Sequence, residues 1–467
     1  MINSILNDHF LLQNAVAERL YHTVAKDLPI VDYHNHINTQ HIAINKRFTN
    51  LAELWITGDP YKHRAMRING IPEEGITGNA SAKDKYYNWV KTLPKTIGNP
   101  LFHWNCLELK RIFGINELLT EKNAEEVWDA CNSNLQQEGF GASGILQKWN
   151  TEIICTSDDL ADDLQAHQAI AVNSRGTKVL PSLRGDSIMA FESPVNEEWM
   201  KEISRQFGTI ESLEEYEEAI KQRLDHFANH GCRLADHSLD AGFAFSLPGE
   251  AVANRLFTDF KHGIMLSNDN IVLLKSYLLH FLGGEYCKRG WVMQLHIGAQ
   301  RYTSSRLRKL AGSAGGYATI GKTGDIASLC LFLDGLEMKD LLPRTILYTL
   351  NPSDNAAFAT LTGSFAEDGK AGKIQFGPAW WYNDHYEGIR HHLLSIAAYG
   401  LLAHFIGMTT DSRSLLSFSR HEYFRRILCN VVGTWIQAGE LPDDTVLIHD
   451  LIKNICYNNS KKFIFNS

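Results

Sequence analysis

The chain has 467 residues, 44% hydrophobic and 21% charged, with a formal net charge of −8. That is ordinary globular composition with material for a large core, and its acidic balance argues against a nucleic-acid partner, which calls for a basic face. No window approaches the ~18 uncharged apolar residues of a membrane span, no basic leader precedes an apolar run, and eight cysteines without a CxxC pair fit reduced thiols in a cytoplasmic protein.

Residues 1–27 read as an N-terminal helical segment. The first strand signal follows, LPIVDYH (28–34), a β-branched and apolar run that stops at polar residues. From about 40 to 150 there is no strand signal. TNLAELWI, SAKDKYYNWVKTL with Ser81 and Asp84 spaced as a capping box, and NAEEVWDACNSNL predict helices, and together a helical insertion after the first strand. Further strand signals come at 152–157, 178–184, 232–237, 292–297, 345–350, 373–379 and 405–411. Helical signals separate most of them. Thr156 and Asp159 have capping-box spacing before LADDLQAHQAI, the stretch at about 240–290 reads as helical, Asp325 precedes IASLCLFLDGL, and HEYFRRILCNVVGTWIQ runs to Gly439. Eight strands alternating with helices predict parallel βαβ units closed into a (β/α)8 TIM-type barrel over 28–467, interrupted by the insertion.

A barrel of this kind keeps its chemistry at the C-terminal ends of its strands. Ionisable groups fall there repeatedly: His34 and His36 on the first strand, Arg184 on the third, Asp236 on the fourth, His296 with Arg301 beyond it on the fifth, Asp411 with Arg413 on the eighth. Any one alone could be a rim salt bridge. His34 and His36 are two apart and share a strand face. They are either a pair of hydrogen-bonded core histidines or half of a site for one divalent ion, zinc by donor type. Asp411 is the natural third ligand, because the first and eighth strands of a closed barrel are neighbours. Arg184, Arg301 and Arg413 point to an anionic substrate, since guanidinium binds carboxylate or phosphate bidentately.

Two stretches are weaker. GYATIGKT (316–323) satisfies the phosphate-loop pattern but follows charged and Gly-rich sequence, not a buried strand, and reads as a loop after the fifth strand, a candidate lid. KHRAMRING (62–70) reads as a solvated basic helix face.

With these residues assembled, the chain closely resembles the uronate (glucuronate) isomerase family of the amidohydrolase superfamily. VDYHNH, GDPYKHRAMRING, GCRLADHSLD, MQLHIGAQR, WWYND (380–384) and MTTDSRSLLSFSRHEYFRRILC (408–429) carry the resemblance. It implies a distorted barrel with at most one metal, and reversible conversion of D-glucuronate to D-fructuronate and of D-galacturonate to D-tagaturonate. By motif it implies His34, His36 and Asp411 as metal ligands, Asp411, Tyr61, Arg413 and His296 as catalytic groups, and Arg184, Asp236, Arg301 and His34 as substrate-binding groups. A small-molecule hexuronate substrate and a homo-oligomer go with it. The sequence departs from the family at Gly185-Asp186, where Pro-Asp often follows the third-strand arginine. The competing readings are a mononuclear metal hydrolase built on His34, His36, His296 and Asp411, a sugar-acid binding protein without a base, and a phosphate-loop nucleotidase using Lys322.

Overall fold

The computed structural model describes residues 7–173, 175–239 and 243–465. Its centre is a seven-stranded parallel sheet in the order β1-β2-β3-β4-β5-β8-β9. The strands are β1 (Ile30–Asn35), β2 (Thr151–Asp159), β3 (Lys178–Arg184), β4 (Leu234–Leu239), β5 (Val292–Ile297), β8 (Thr345–Thr349) and β9 (Ile374–Phe376). Two further strands of two residues each, β6 (Ala299–Gln300) and β7 (Thr319–Ile320), form a separate antiparallel ribbon. Helices cover the crossovers, as parallel strands require. The sheet curls into a half-barrel with an α/β layer structure. Alternate residues from successive strands (Val31, Tyr33, Ile153, Cys155, Leu180, Leu234, Val292, Ile346 and Tyr348) meet in one apolar cluster, which Phe463 and Ile464 of the last helix also join. A larger apolar cluster lies between sheet and helices.

The eighth predicted strand, 405–411, forms no ladder. It runs beside β1 instead, with irregular bonding. The Asp411 N–H donates to the His34 carbonyl (3.0 Å) and the His36 N–H to the Ser412 carbonyl (2.8 Å), while the His34 N–H goes to the Thr409 hydroxyl (2.8 Å). Asp411 has φ +47°, a left-handed conformation that no continuous strand contains. A side-chain acceptor and a reversed dihedral thus replace regular pairing where the barrel would close.

Two local expectations also differ. Thr156 and Asp159 do not cap a helix. β2 pairs with β3 as far as Asp159↔Arg184, and Thr156 Oγ1 donates to Asp158 Oδ2 at 2.8 Å, so the next helix starts only at Gln165. The stretch 62–70 is no solvated face. It lies largely within helix Pro60–Ile68, where Lys62, His63 and Met66 are buried and Lys62 Nζ sits 2.6 Å from Asp59. Other expectations match the structure. Ser81 caps helix Ala82–Thr92, and Asp325 caps Ile326–Glu337. Between β1 and β2 the described chain is helical or irregular, with helices at Leu51–Trp55, Pro60–Ile68, Ala82–Thr92, Pro100–Phe113 and Ala124–Leu135 among others.

Candidate active site

Strand register brings the polar strand ends level. Arg184 on β3 pairs with Asp236 on β4, Ser238 pairs with His296 on β5, and His296 pairs with Tyr348 on β8. On β1 the pairing with β2 shifts between Asp32 and Asn35. That irregularity lets His34 and His36 face the mouth although Val31 and Tyr33 fill the cluster beneath. The result is a cavity of about 320 Å³. All nine site residues expected from sequence line it: His34, His36, Tyr61, Arg184, Asp236, His296, Arg301, Asp411 and Arg413.

Its floor is a shared carboxylate. Asp411 Oδ1 lies 3.0 Å from His36 Nε2 and 3.4 Å from His34 Nε2. Its Oδ2 accepts from Trp380 Nε1 at 2.7 Å. Burial pushes the Asp411 carboxyl up, but the bonds and charge of His34 and His36 outweigh it and hold the group well below the usual carboxylate range. Burial opposes charging His34, yet Asp236 at 3.9 Å and Asp411 raise its affinity for a proton. His36 goes the other way, down to about 4, because burial and Arg413 outweigh Asp411. Burial and His34 push His296 well below its ordinary value, so its ring is neutral. That ring stacks on Tyr348, 4.4 Å between centroids, and its Nε2 is buried without a hydrogen-bond partner among the described residues. Asp236 is pushed up to about 6 by burial, against the pull of His34 and Arg184.

The donor set fits a cation. His34, His36 and Asp411 form one group of converging ligand atoms, and His34, Asp236 and His296 a second that shares His34. The candidate ligand atoms of each group all lie within 4.8 Å of one another, close enough to converge on one ion. Both His34 Nδ1 and His296 Nε2 are buried with no hydrogen-bond partner among the described residues, a costly state unless something polar meets them.

The arginines ring the opening. Arg184 Nε donates to Asp186 Oδ2 at 2.9 Å, and Asp186 Oδ1 accepts from the Ser238 N–H at 2.8 Å. Gly185, the departure noted above, is demanded by close approach, since a Cβ there would stand 2.2 Å from the His237 ring. Arg301 Nη2 donates to Ser238 Oγ at 2.9 Å, and its guanidinium lies 5.8 Å from the Trp381 ring. From the segment 302–320, Tyr302, Gly316 and Ala318 line the cavity. Arg64 Nη1 and the Tyr382 hydroxyl both donate to the Ala318 carbonyl, at 3.1 and 2.6 Å. Sequence reasoning missed Arg64, Tyr348, Trp380 and Asp384 as neighbours of the chemistry. WWYND was visible as a motif, but it sits on an irregular turn with Tyr382 at φ +68°, where no periodicity assigns a facing direction.

The family model described as "Glucuronate isomerase" matches residues 2–464 of the chain. A uronate isomerase of Bacillus licheniformis is 44% identical over 459 residues, 98% of this chain and 97% of that protein. A solved uronate isomerase of Thermotoga maritima superposes with TM-score 0.93 at 33% identity, covering 98% of this chain and 99% of that one. A glucuronate isomerase of Caulobacter crescentus shares the fold with TM-score 0.90 at 23% identity, over 99% of this chain and 96% of that one.

Proposed function

We infer the chemistry from one premise: this chain belongs to the glucuronate isomerase family and is an aldose–ketose isomerase of hexuronates. The substrates are D-glucuronate, converted to D-fructuronate, and D-galacturonate, converted to D-tagaturonate. The net change moves one hydrogen from C2 to C1 and one from O2 to O1, through an enediol whose oxygens carry developing charge.

Asp411 takes the C2 proton of the open-chain sugar, the O2 hydrogen passes across the enediolate to the adjacent O1 oxyanion, and Asp411 returns its proton at C1. Its carboxyl, held well below the usual carboxylate range by His34 and His36 against burial, is the ionised, proton-accepting form at neutral pH. The low basicity of such a carboxylate is offset by whatever stabilises the enediolate, because that makes the C2 proton more acidic. Arg413 stands beside Asp411 and, with Arg184 and Arg301, supplies fixed positive charge to the C6 carboxylate and the enediolate oxygens. His296 and Asp236 hold sugar hydroxyls, and Tyr61 meets another from the far wall. His34, His36 and Asp411 would hold one divalent cation, zinc by donor type, which supplies positive charge against the sugar oxygens. The observation that carries this reading is the Asp411 carboxylate, shared by two imidazoles on the floor of a cavity lined by Arg184, Arg301 and Arg413, with Arg64 as a fourth guanidinium.

Incubation of the purified protein with either uronate in D2O, with and without a chelator, tests it. The expected result is keto-sugar formation with solvent deuterium at C1, a lower rate after chelation, and recovery on adding zinc. No keto product from either sugar would overturn the reading.

No helix among the described residues is long and apolar enough to cross a membrane. All eight cysteines are free, which supports a reducing, cytoplasmic setting. A homo-oligomer is part of the same proposal, and sedimentation at the monomer mass would remove it.

A further inference from the structure

Behind the cavity wall, three elements far apart in sequence meet at one oxygen atom. Tyr61, near the start of helix Pro60–Ile68, donates its hydroxyl hydrogen to Asp384 Oδ2 at 2.8 Å. Arg420, on helix Ser419–Gln437, reaches the same oxygen with Nη1 at 3.4 Å. The same Nη1 donates to the Thr410 carbonyl at 2.7 Å, immediately before Asp411. The guanidinium also stands over the rings of Tyr61 (4.7 Å) and Trp104 (4.2 Å). Asp384 and Arg420 are each 3% exposed.

As a stabilising ion pair this arrangement is poor. Asp384 Oδ1 and Arg420 Nε are both buried without a hydrogen-bond partner among the described residues. Each such group is costly to bury unpaired, and buried pairs are often no better for stability than apolar residues of the same volume. An under-satisfied carboxylate touching a cavity-lining phenol is better explained by what it does to that phenol.

We propose that Asp384 and Arg420 are positioning residues for the isomerisation, holding the Tyr61 phenol with its hydrogen turned away from the cavity and its oxygen ready to accept from a sugar hydroxyl. The inference rests on the reading of Tyr61 as a substrate-facing group. A phenol has a single donor hydrogen, and here it is spent on Asp384. Tyr61 therefore complements the three arginines, which can only donate: they select carboxylate and enediolate oxygens, and it selects a hydroxyl. Burial, against Arg420 and Tyr61, pushes the Asp384 carboxyl up to about 6, so the form that takes the hydrogen prevails at neutral pH. The Arg420 bond to the Thr410 carbonyl ties the same unit to the backbone that presents Asp411.

The test compares Tyr61→Phe, Asp384→Asn and the double variant in the metal-replete enzyme turning over D-glucuronate. Asp384→Asn is expected to lower kcat by about 10- to 100-fold while KM stays within about threefold. The double variant is expected to be no worse than about twofold below the poorer single one, because the two residues act through one hydroxyl. Multiplying losses, or an Asp384→Asn enzyme at the parental rate, would overturn the positioning role alone. Tyr61→Phe at the parental rate would overturn the role given to Tyr61 and this pair with it. If Asp384→Asn fails to fold, Asp384→Glu keeps the charge toward Arg420 while displacing the oxygen. The same loss without further loss in the Tyr61→Phe background supports the proposal, and parental activity or multiplying losses contradict it.

Discussion

Asp411 is a non-glycine residue at φ +47°, and such strain persists only where the surroundings fix it. Here the fixing groups are identifiable: its N–H on the His34 carbonyl, Trp380 Nε1 on its Oδ2, and Arg420 on the carbonyl before it. The dihedral aims the carboxylate across to β1 rather than along its own segment. Gly185 shows the complementary constraint. The imidazole of His237, which a Cβ at 185 would meet at 2.2 Å, is held in place at Nε2 by the Tyr286 hydroxyl at 2.9 Å. Gly185→Ala is therefore expected to cost about 1–3 kcal/mol by crowding, read as a lowered denaturation midpoint. An unchanged midpoint would show that His237 yields freely. The residue types of the site were legible in sequence because strand-end imidazoles, carboxylates and guanidiniums stand out against apolar runs. Asp384 was not legible, because nothing about an aspartate after two tryptophans says which tyrosine it will meet.

The helix Ser419–Gln437 connects the chain's distant parts. Glu422 on it accepts from Arg111 Nε and Nη2, both at 2.8 Å, which docks helix Pro100–Phe113. It also accepts from Arg426 Nε at 3.0 Å, and Arg426 Nη1 holds the carbonyls of Asp8 and Phe10 at 2.8 and 2.9 Å. Burial pushes the Glu422 carboxyl up, but the two arginines prevail and bring it to about 2, from an ordinary 4.5. A depressed acid stabilises the fold above its ordinary pKa and loses that contribution as pH falls toward the folded value. The parental protein should thus lose about 3 kcal/mol from this group between pH 4.5 and 2. Glu422→Gln should be less stable at pH 7, and its deficit should shrink over that window. Denaturant titrations at several pH values check this, and a deficit independent of pH would contradict it. This helix was readable from sequence through its apolar spacing alone, since Phe418 at its start provides no side-chain cap, whereas helices Ala82–Thr92 and Ile326–Glu337 also showed their caps, Ser81 and Asp325. The cap predicted at Thr156 failed for a non-local reason: β2 extends to pair with Arg184, and ladder pairing outweighs a two-residue capping signal.

At the scale of the whole molecule, seven strands in parallel order carry the polar ends to one mouth. The barrel's periodic parts were legible from apolar runs spaced by helices. Its closure was not, because 405–411 has the composition of a strand but bonds through Thr409 and turns at Asp411. That departure brings a carboxylate from late in the chain onto two imidazoles from its beginning, and the assigned proton transfer depends on that meeting. The direct test is the turnover of D-glucuronate by Asp411→Asn, with circular dichroism and thermal midpoint measured on the same sample. The expected result is a loss of kcat of about 10³-fold or more with both signatures of folding retained. A folded variant within about tenfold of the parental rate would contradict the role of Asp411 as the proton-carrying base.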